Sequence, residues 1–209
     1  MRSRRLCAAV LLALAVTRSA HAQTSVGALG YVTFGSVALG AADTFEAVAG
    51  KSNAPSVGVG AAVTGLWKHV FVDVSYSRQW LDGQRVFVSN GSVFPLGIPL
   101  SVAFEPLDAA AGWRFRAGRV MPYAGAGVSS IKYTETSDFA QQGDDVDERK
   151  TGGLVLAGVD VPIGRWFLLG GELRYRAVTG VLGESGASAA FGEDQLGGVS
   201  YGVRLSVGR

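Results

Sequence analysis

From Trp166 to Arg176 the chain reads WFLLGGELRYR, and its apolar and polar residues alternate with period two. In an extended strand Phe167, Leu169, Gly171, Leu173 and Tyr175 share one face, while Leu168, Gly170, Glu172, Arg174 and Arg176 share the other. The same design recurs. Val70, Val72, Val74 and Tyr76 oppose Asp73, Ser75 and Ser77. Leu107, Ala109, Ala111, Trp113 and Phe115 oppose Asp108, Gly112, Arg114 and Arg116. Val155, Ala157, Val159 and Val161 oppose Gly158 and Asp160, and Val199, Tyr201, Val203, Leu205 and Val207 oppose Ser200, Gly202, Arg204 and Ser206. The first segment and the run Tyr123-Ala124-Gly125-Ala126-Gly127 fit either register.

This alternation predicts eight strands, at about 26–39, 55–66, 69–80, 102–116, 121–134, 151–163, 165–178 and 196–208. Most exceed the roughly 5–6 residues usual in soluble sheets and match the ~9–11 needed to cross a bilayer at a tilt. No amphipathic helix competes. The connections at 66–69, 117–120 and 163–165 are tight, whereas 40–54, 81–101, 135–150 and 179–195 are long. Long and short take turns, as in bacterial outer-membrane barrels with short periplasmic turns and long external loops. The fold expected is all-β: an eight-stranded antiparallel up-and-down transmembrane β-barrel, apolar side to lipid and charged side to the lumen. Within the loop 81–101, Asn90-Gly91 between alternating apolar residues predicts a type I′ hairpin standing above the membrane. Pro95, Pro99 and Pro106 suit a rim or a bulge.

Composition refines this. Met1 to about Ala22 reads as a cleaved signal peptide, with Arg2, Arg4 and Arg5, an apolar run from Leu6 to Val16, and Ala20-His21-Ala22 before the cut. That leaves a barrel domain at 23–209 and removes Cys7, the single cysteine, so disulfides and thiolate metal sites are not expected. Without Arg2, Arg4, Arg5 and Arg18, the 19 Lys and Arg fall to 15 against 17 Asp and Glu, which removes the electrostatic case for nucleic acid.

Asp73, Asp108, Asp160 and Glu172 are expected inside with Arg114, Arg174 and Arg204, forming a nearly neutral network that closes the lumen. Trp67, Trp80, Tyr123, Tyr133 and Trp166 are expected in two interfacial girdles. After the signal the one histidine is His69, in a short turn, and no nucleophile pairs with a base. Neither an enzyme nor a cofactor or metal site is expected. The long loops are acidic, with Asp138, Asp144, Asp145, Asp147 and Glu148 in one of them. That cluster lacks EF-hand spacing, but divalent ions could bridge such carboxylates to lipopolysaccharide phosphates. Lys68, Arg116, Arg119 and Arg165 at the short turns read as snorkelling anchors.

Pro122-Tyr123-Ala124-Gly125-Ala126-Gly127 resembles the P-Y-x-G-x-G strand opening of the small eight-stranded outer-membrane barrels, the OmpA transmembrane-domain-like and OmpX-like family. Gly171-Glu172-Leu173-Arg174-Tyr175 resembles that family's penultimate strand. The resemblance covers 26–209 and implies the bacterial outer membrane and insertion by the barrel-assembly machinery. The partners expected there are outer-membrane lipid and lipopolysaccharide. A monomer is expected. Members commonly end on an aromatic residue, and here the chain departs with Ser206-Val207-Gly208-Arg209. No peptidoglycan-binding domain is expected. The function expected is structural or surface-interacting (envelope integrity or adhesion). A small-solute or ion channel, or a soluble periplasmic lipocalin-like binding barrel, are the alternatives.

Overall fold

A computed structural model describes residues 26–137, 146–183 and 186–208. The expected signal peptide, Asp138, Asp144, Asp145 and Glu184 lie outside the described residues. Eight strands close into one barrel: β1 Gly27–Leu39, β2 Asn53–Leu66, β3 Val70–Ser89, β4 Ser92–Arg114, β5 Met121–Ser137, β6 Val146–Pro162, β7 Phe167–Ala177 and β8 Gly198–Gly208. Every neighbour is antiparallel, and β1 closes on β8 from Leu29↔Gly208 to Leu39↔Gly198. Closure pairs every strand on both sides and so removes the sheet edges that would otherwise stay unsatisfied in lipid.

The two faces separate as a membrane barrel requires. Leu169, Leu173, Val203 and Leu205 point outward at 43, 55, 52 and 40 % exposure, while Glu172, Arg174 and Arg204 are buried inside at 8, 5 and 3 %. A lipocalin-like barrel needs the reverse arrangement, apolar inside and charged outside, and that alternative is excluded by the register of these strands.

Three expectations require correction. The segment 81–101 is not a loop carrying a separate short hairpin, because β3 and β4 run through it as one ribbon to the Asn90-Gly91 turn. Both turn residues have positive φ, 50° and 75°, as a type I′ turn demands. The prolines are accommodated locally. A bulge separates Gln84↔Pro99 from Val86↔Pro95, and the β3–β4 ladder passes from Tyr76↔Leu107 to Gln79↔Phe104 without pairing Pro106.

Second, two of the long connections hold short helices, α1 Ala42–Ala49 and α2 Gly186–Phe191. Ala41 at the N-cap of α1 supplies no side-chain acceptor. The acceptor comes from far along the chain: Glu193 takes the N–H groups of Asp43 and Thr44 at 3.1 and 2.8 Å and the Thr44 hydroxyl at 2.7 Å. A tertiary contact, absent from local sequence, holds this helix.

Third, Tyr123 and Tyr133 are not girdle residues. Both point inward and are 5 and 2 % exposed. The register of β5 places Tyr123 opposite Gly158, over which its ring lies; a side chain there would meet the Tyr123 ring at 2.4 Å. Gly60 does the same for Tyr31, its partner across β1–β2, at 2.3 Å. Trp67, Trp80 and Trp166 do face outward. With them stand Trp113, Phe115 and Phe167 toward the short-turn end, and Phe34, Tyr76, Tyr175 and Tyr201 toward the other.

Candidate functional site

The lumen is the site that the alternation builds, and side chains cross it at its centre. At its centre Arg174 reaches across the barrel from β7. Its Nε donates to Glu172 at 2.6 Å, its Nη1 to Asp108 at 3.0 Å and Ser75 at 2.6 Å, and its Nη2 to Asp73 at 3.1 Å and Tyr31 at 3.0 Å. Each nitrogen of the guanidinium thus has an acceptor. Arg176 makes a two-pronged contact with Asp108, at 3.1 and 2.7 Å, and gives Nη1 to Ser200 at 2.6 Å. Arg204 donates to Glu172 at 2.9 Å and to the Tyr123 hydroxyl at 3.3 Å. Its guanidinium carbon stands 3.5 Å from the centre of the Tyr31 ring.

The tyrosines and a serine complete the carboxylates. Tyr31 donates its hydroxyl to Asp73 at 2.6 Å, Tyr123 to Glu172 at 2.9 Å, and Ser129 to Asp108 at 2.6 Å. Toward the short-turn end Arg114 pairs with Asp160 at 2.7 Å, beneath a perpendicular contact between Phe71 and Tyr123 at 5.9 Å. Asp73, Asp108, Asp160 and Glu172 are thus balanced by Arg114, Arg174, Arg176 and Arg204. A neutral, hydrogen-bonded set is the form in which buried charge is tolerable, since an unpaired ion would cost several kcal/mol.

The structure joins Asp73, Asp108, Glu172, Arg174 and Arg204 in one network and sets Asp160 with Arg114 beside it. Sequence reasoning left Arg176 out of the named network although it shares the parity of Glu172 and Arg174. It also missed Tyr31, whose strand has no charge to fix its register.

Above the ions the interior turns apolar. Val37, Leu39, Leu81, Val102, Phe104, Ile131, Tyr133, Val178 and Leu196 pack as one buried cluster, and Phe45 of α1 enters it from the outer end. Phe45 meets Phe104 edge-on at 5.5 Å, and Phe104 meets Tyr133 at 5.3 Å. The Tyr133 hydroxyl donates to Glu135. α1 is therefore a lid whose apolar face completes the core. A cavity of about 40 Å³ lies beside the ionic centre, against Tyr31, Ser75, Ser77 and Arg174. At ~10–15 Å³ for one water, it has room for a few waters. A wider cavity of about 270 Å³ opens at the outer mouth between α1, β3, β5 and α2.

His69 stacks at a tilt on Phe115, 5.4 Å away, in the short-turn region. Among the described residues no group of three or more His, Cys, Asp or Glu is placed to hold a metal ion.

No protein-family model matches the chain, and no curated protein matches it. Solved structures do. The outer membrane protein OprG of Pseudomonas aeruginosa is 12 % identical with a TM-score of 0.58, over 90 % of this chain and 97 % of that one. Neisserial surface protein A is 14 % identical with a TM-score of 0.53, over 87 % and 95 %. Ail, the attachment invasion locus protein of Yersinia pestis in complex with the heparin analogue sucrose octasulfate, is 13 % identical with a TM-score of 0.50, over 88 % and 97 %. At these identities the likeness is one of fold, and that fold is the eight-stranded outer-membrane β-barrel.

Proposed function

We propose that this chain resides in the bacterial outer membrane as a closed barrel and works through its external surface, in adhesion or in envelope integrity. The observation that carries this reading is the filled lumen: ion pairs across the middle, and an apolar plug under α1 at the outer end. A barrel of eight strands has an interior about as wide as its own side chains, and here charged side chains bond one another across it. This filling supports a role for the outer surface over transport through the lumen.

The β3–β4 ribbon supports a surface role. It extends past Leu100↔Ser137, the last β4–β5 pair among the described residues, and presents Phe87, Phe94 and Leu96 exposed. The likeness in fold to an attachment protein agrees with this use. We read no catalytic role, since His69 stacks on Phe115 and sits at the opposite end from the ribbon. The protein is expected as a monomer, delivered by its leader and inserted by the barrel-assembly machinery.

The test is a planar-bilayer recording on barrel refolded from the chain after Ala22. Brief, rare openings or silence agree with the proposal. Large steady conductance from every inserted molecule would replace it with a channel.

A further inference from the structure

Among the described strand residues, the outward face carries charge on one side of the barrel only. Arg78 of β3, Glu105 of β4, Lys132 of β5 and Arg149 of β6 are lateral neighbours in one row. Glu105 pairs with Lys132 and Lys132 with Arg149 in the ladders, and Arg78 Nε lies 4.0 Å from Glu105. The Arg78 side chain is 60 % exposed. Toward the short turns the same faces become apolar: Val72 and Val74, Leu107 and Ala109, Val128, and Val155 and Val159. The row therefore marks the outer edge of the lipid-facing band. On β7, β8, β1 and β2 the outward residues at this end are Tyr175, Val199, Tyr201, Phe34, Ser36 and Val57, with no charge among them.

Within the row Lys132 and Arg149 stand directly opposite each other, an arrangement that destabilises a ladder unless an anion lies between or beside them. Asp147 takes Lys132 at 3.0 Å, and Arg149 Nη1 donates to the Ser130 hydroxyl at 3.5 Å. Beyond the row Asp82 accepts from Ser101. From Arg78 to Arg149 the cations span three strand spacings, about 14 Å, which is wider than a headgroup with one phosphate.

We infer that Arg78, Lys132 and Arg149 bind the phosphates of lipopolysaccharide, whose phosphorylated sugar headgroup would lie along this row while its acyl chains cover Val74, Leu107, Val128 and Val155. Glu105, between the flanking cations, keeps them apart and separates the phosphates they take. The inference rests on the outer-membrane reading above, and the experiment separates the two.

Wild type, the triple variant Arg78→Gln/Lys132→Gln/Arg149→Gln, and a control with the same charge change at the other end, Lys68→Gln/Arg116→Gln/Arg119→Gln, are refolded in detergent. Heat-modifiable gel mobility establishes the folded barrel. Absence of that shift in wild type would sink the membrane reading itself, whatever the lipid. Folded protein is then titrated with lipopolysaccharide, dephosphorylated lipopolysaccharide, phosphatidylglycerol and inorganic phosphate. The triple variant is expected to need at least ten times more lipopolysaccharide than wild type, and the control the same amount as wild type. Dephosphorylated lipopolysaccharide and phosphatidylglycerol should bind at least ten times more weakly, and inorganic phosphate should not compete. Equal binding by the triple variant, an equal loss in the control, or equal binding of phosphatidylglycerol would overturn the inference, as would competition by free phosphate. Should the triple variant fail to fold, Arg78→Gln and Arg149→Gln are tested singly, each with about a threefold loss expected and no loss contradicting it.

Discussion

Arg174 Nη2 meets Asp73 Oδ1 at 3.1 Å across the lumen, joining strands that stand on opposite sides of the barrel. One guanidinium thereby ties β7 to β3 and, through Asp108, to β4. Such pairs add little net stability when compared with apolar packing, but losing one partner leaves the others buried and uncompensated.

Arg174→Leu is accordingly expected to cost about 3–5 kcal/mol in urea unfolding of the refolded barrel. Asp108→Leu should cost a similar amount, because it strands Arg176 as well as Arg174. The double variant should cost clearly less than the two single losses combined, since they share one network. Strict additivity would mean that the two side chains do not interact as their 3.0 Å contact implies.

Gly60 leaves the space in which the Tyr31 ring lies, and the ring in turn carries Arg204. Gly60→Val should displace Tyr31, lengthen its bond to Asp73, and destabilise the barrel by about 1–3 kcal/mol, the usual range for overpacking. Gly30, with nothing within 4 Å of an added side chain, is the comparison, and Gly30→Val should be nearly neutral. Equal losses at both positions, read from unfolding midpoints, would remove the packing argument.

The lid helix should loosen in acid. Burial raises the Glu193 carboxyl, but the hydrogen bonds from the Thr44 hydroxyl and N–H and the Asp43 N–H together outweigh this and hold it below its ordinary 4.5. A carboxyl lowered by folding contributes its stability above pH 4.5 and loses it as the pH falls from there through the lower folded value. Amide exchange at Phe45 and Glu46 is expected to quicken over that interval. Glu193→Ala should make it fast at every pH, at a cost near that of a lost cap, about 1 kcal/mol. A protection pattern unchanged by Glu193→Ala would mean that α1 is held by Phe45 alone.

Glu172, Arg174 and Arg204 were legible as inward residues because each alternates with a large apolar neighbour, and a one-residue slip would send charge into lipid. Tyr123 and Tyr133 were not legible. Alanine and glycine follow Tyr123 in their strand and tolerate either face, and the register is decided by Gly158 across the ladder. The ribbon of β3 and β4 was hidden because 81–101 read as a long loop, with Pro95 and Pro99 suiting a rim or a bulge. They survive where a bulge interrupts the pairing of β3 with β4. Helix α1 was hidden because its cap is Glu193, about 150 residues away from Thr44. Local periodicity carries the barrel wall, and long-range contacts carry the lid.

The central claim is that Leu169, Leu173, Val203 and Leu205 face hydrocarbon, and nitroxide labelling tests it most directly. Single cysteines at these four positions, with Cys7 removed, are labelled and refolded into bilayers. Collision rates are then measured with oxygen, which concentrates in lipid, and with a water-soluble nickel chelate. The account predicts high oxygen and low chelate collision at all four positions, and the opposite at the exposed turn residue Lys68. Chelate collision at Leu173 and Val203 as high as at Lys68 would place that face in water and contradict the account.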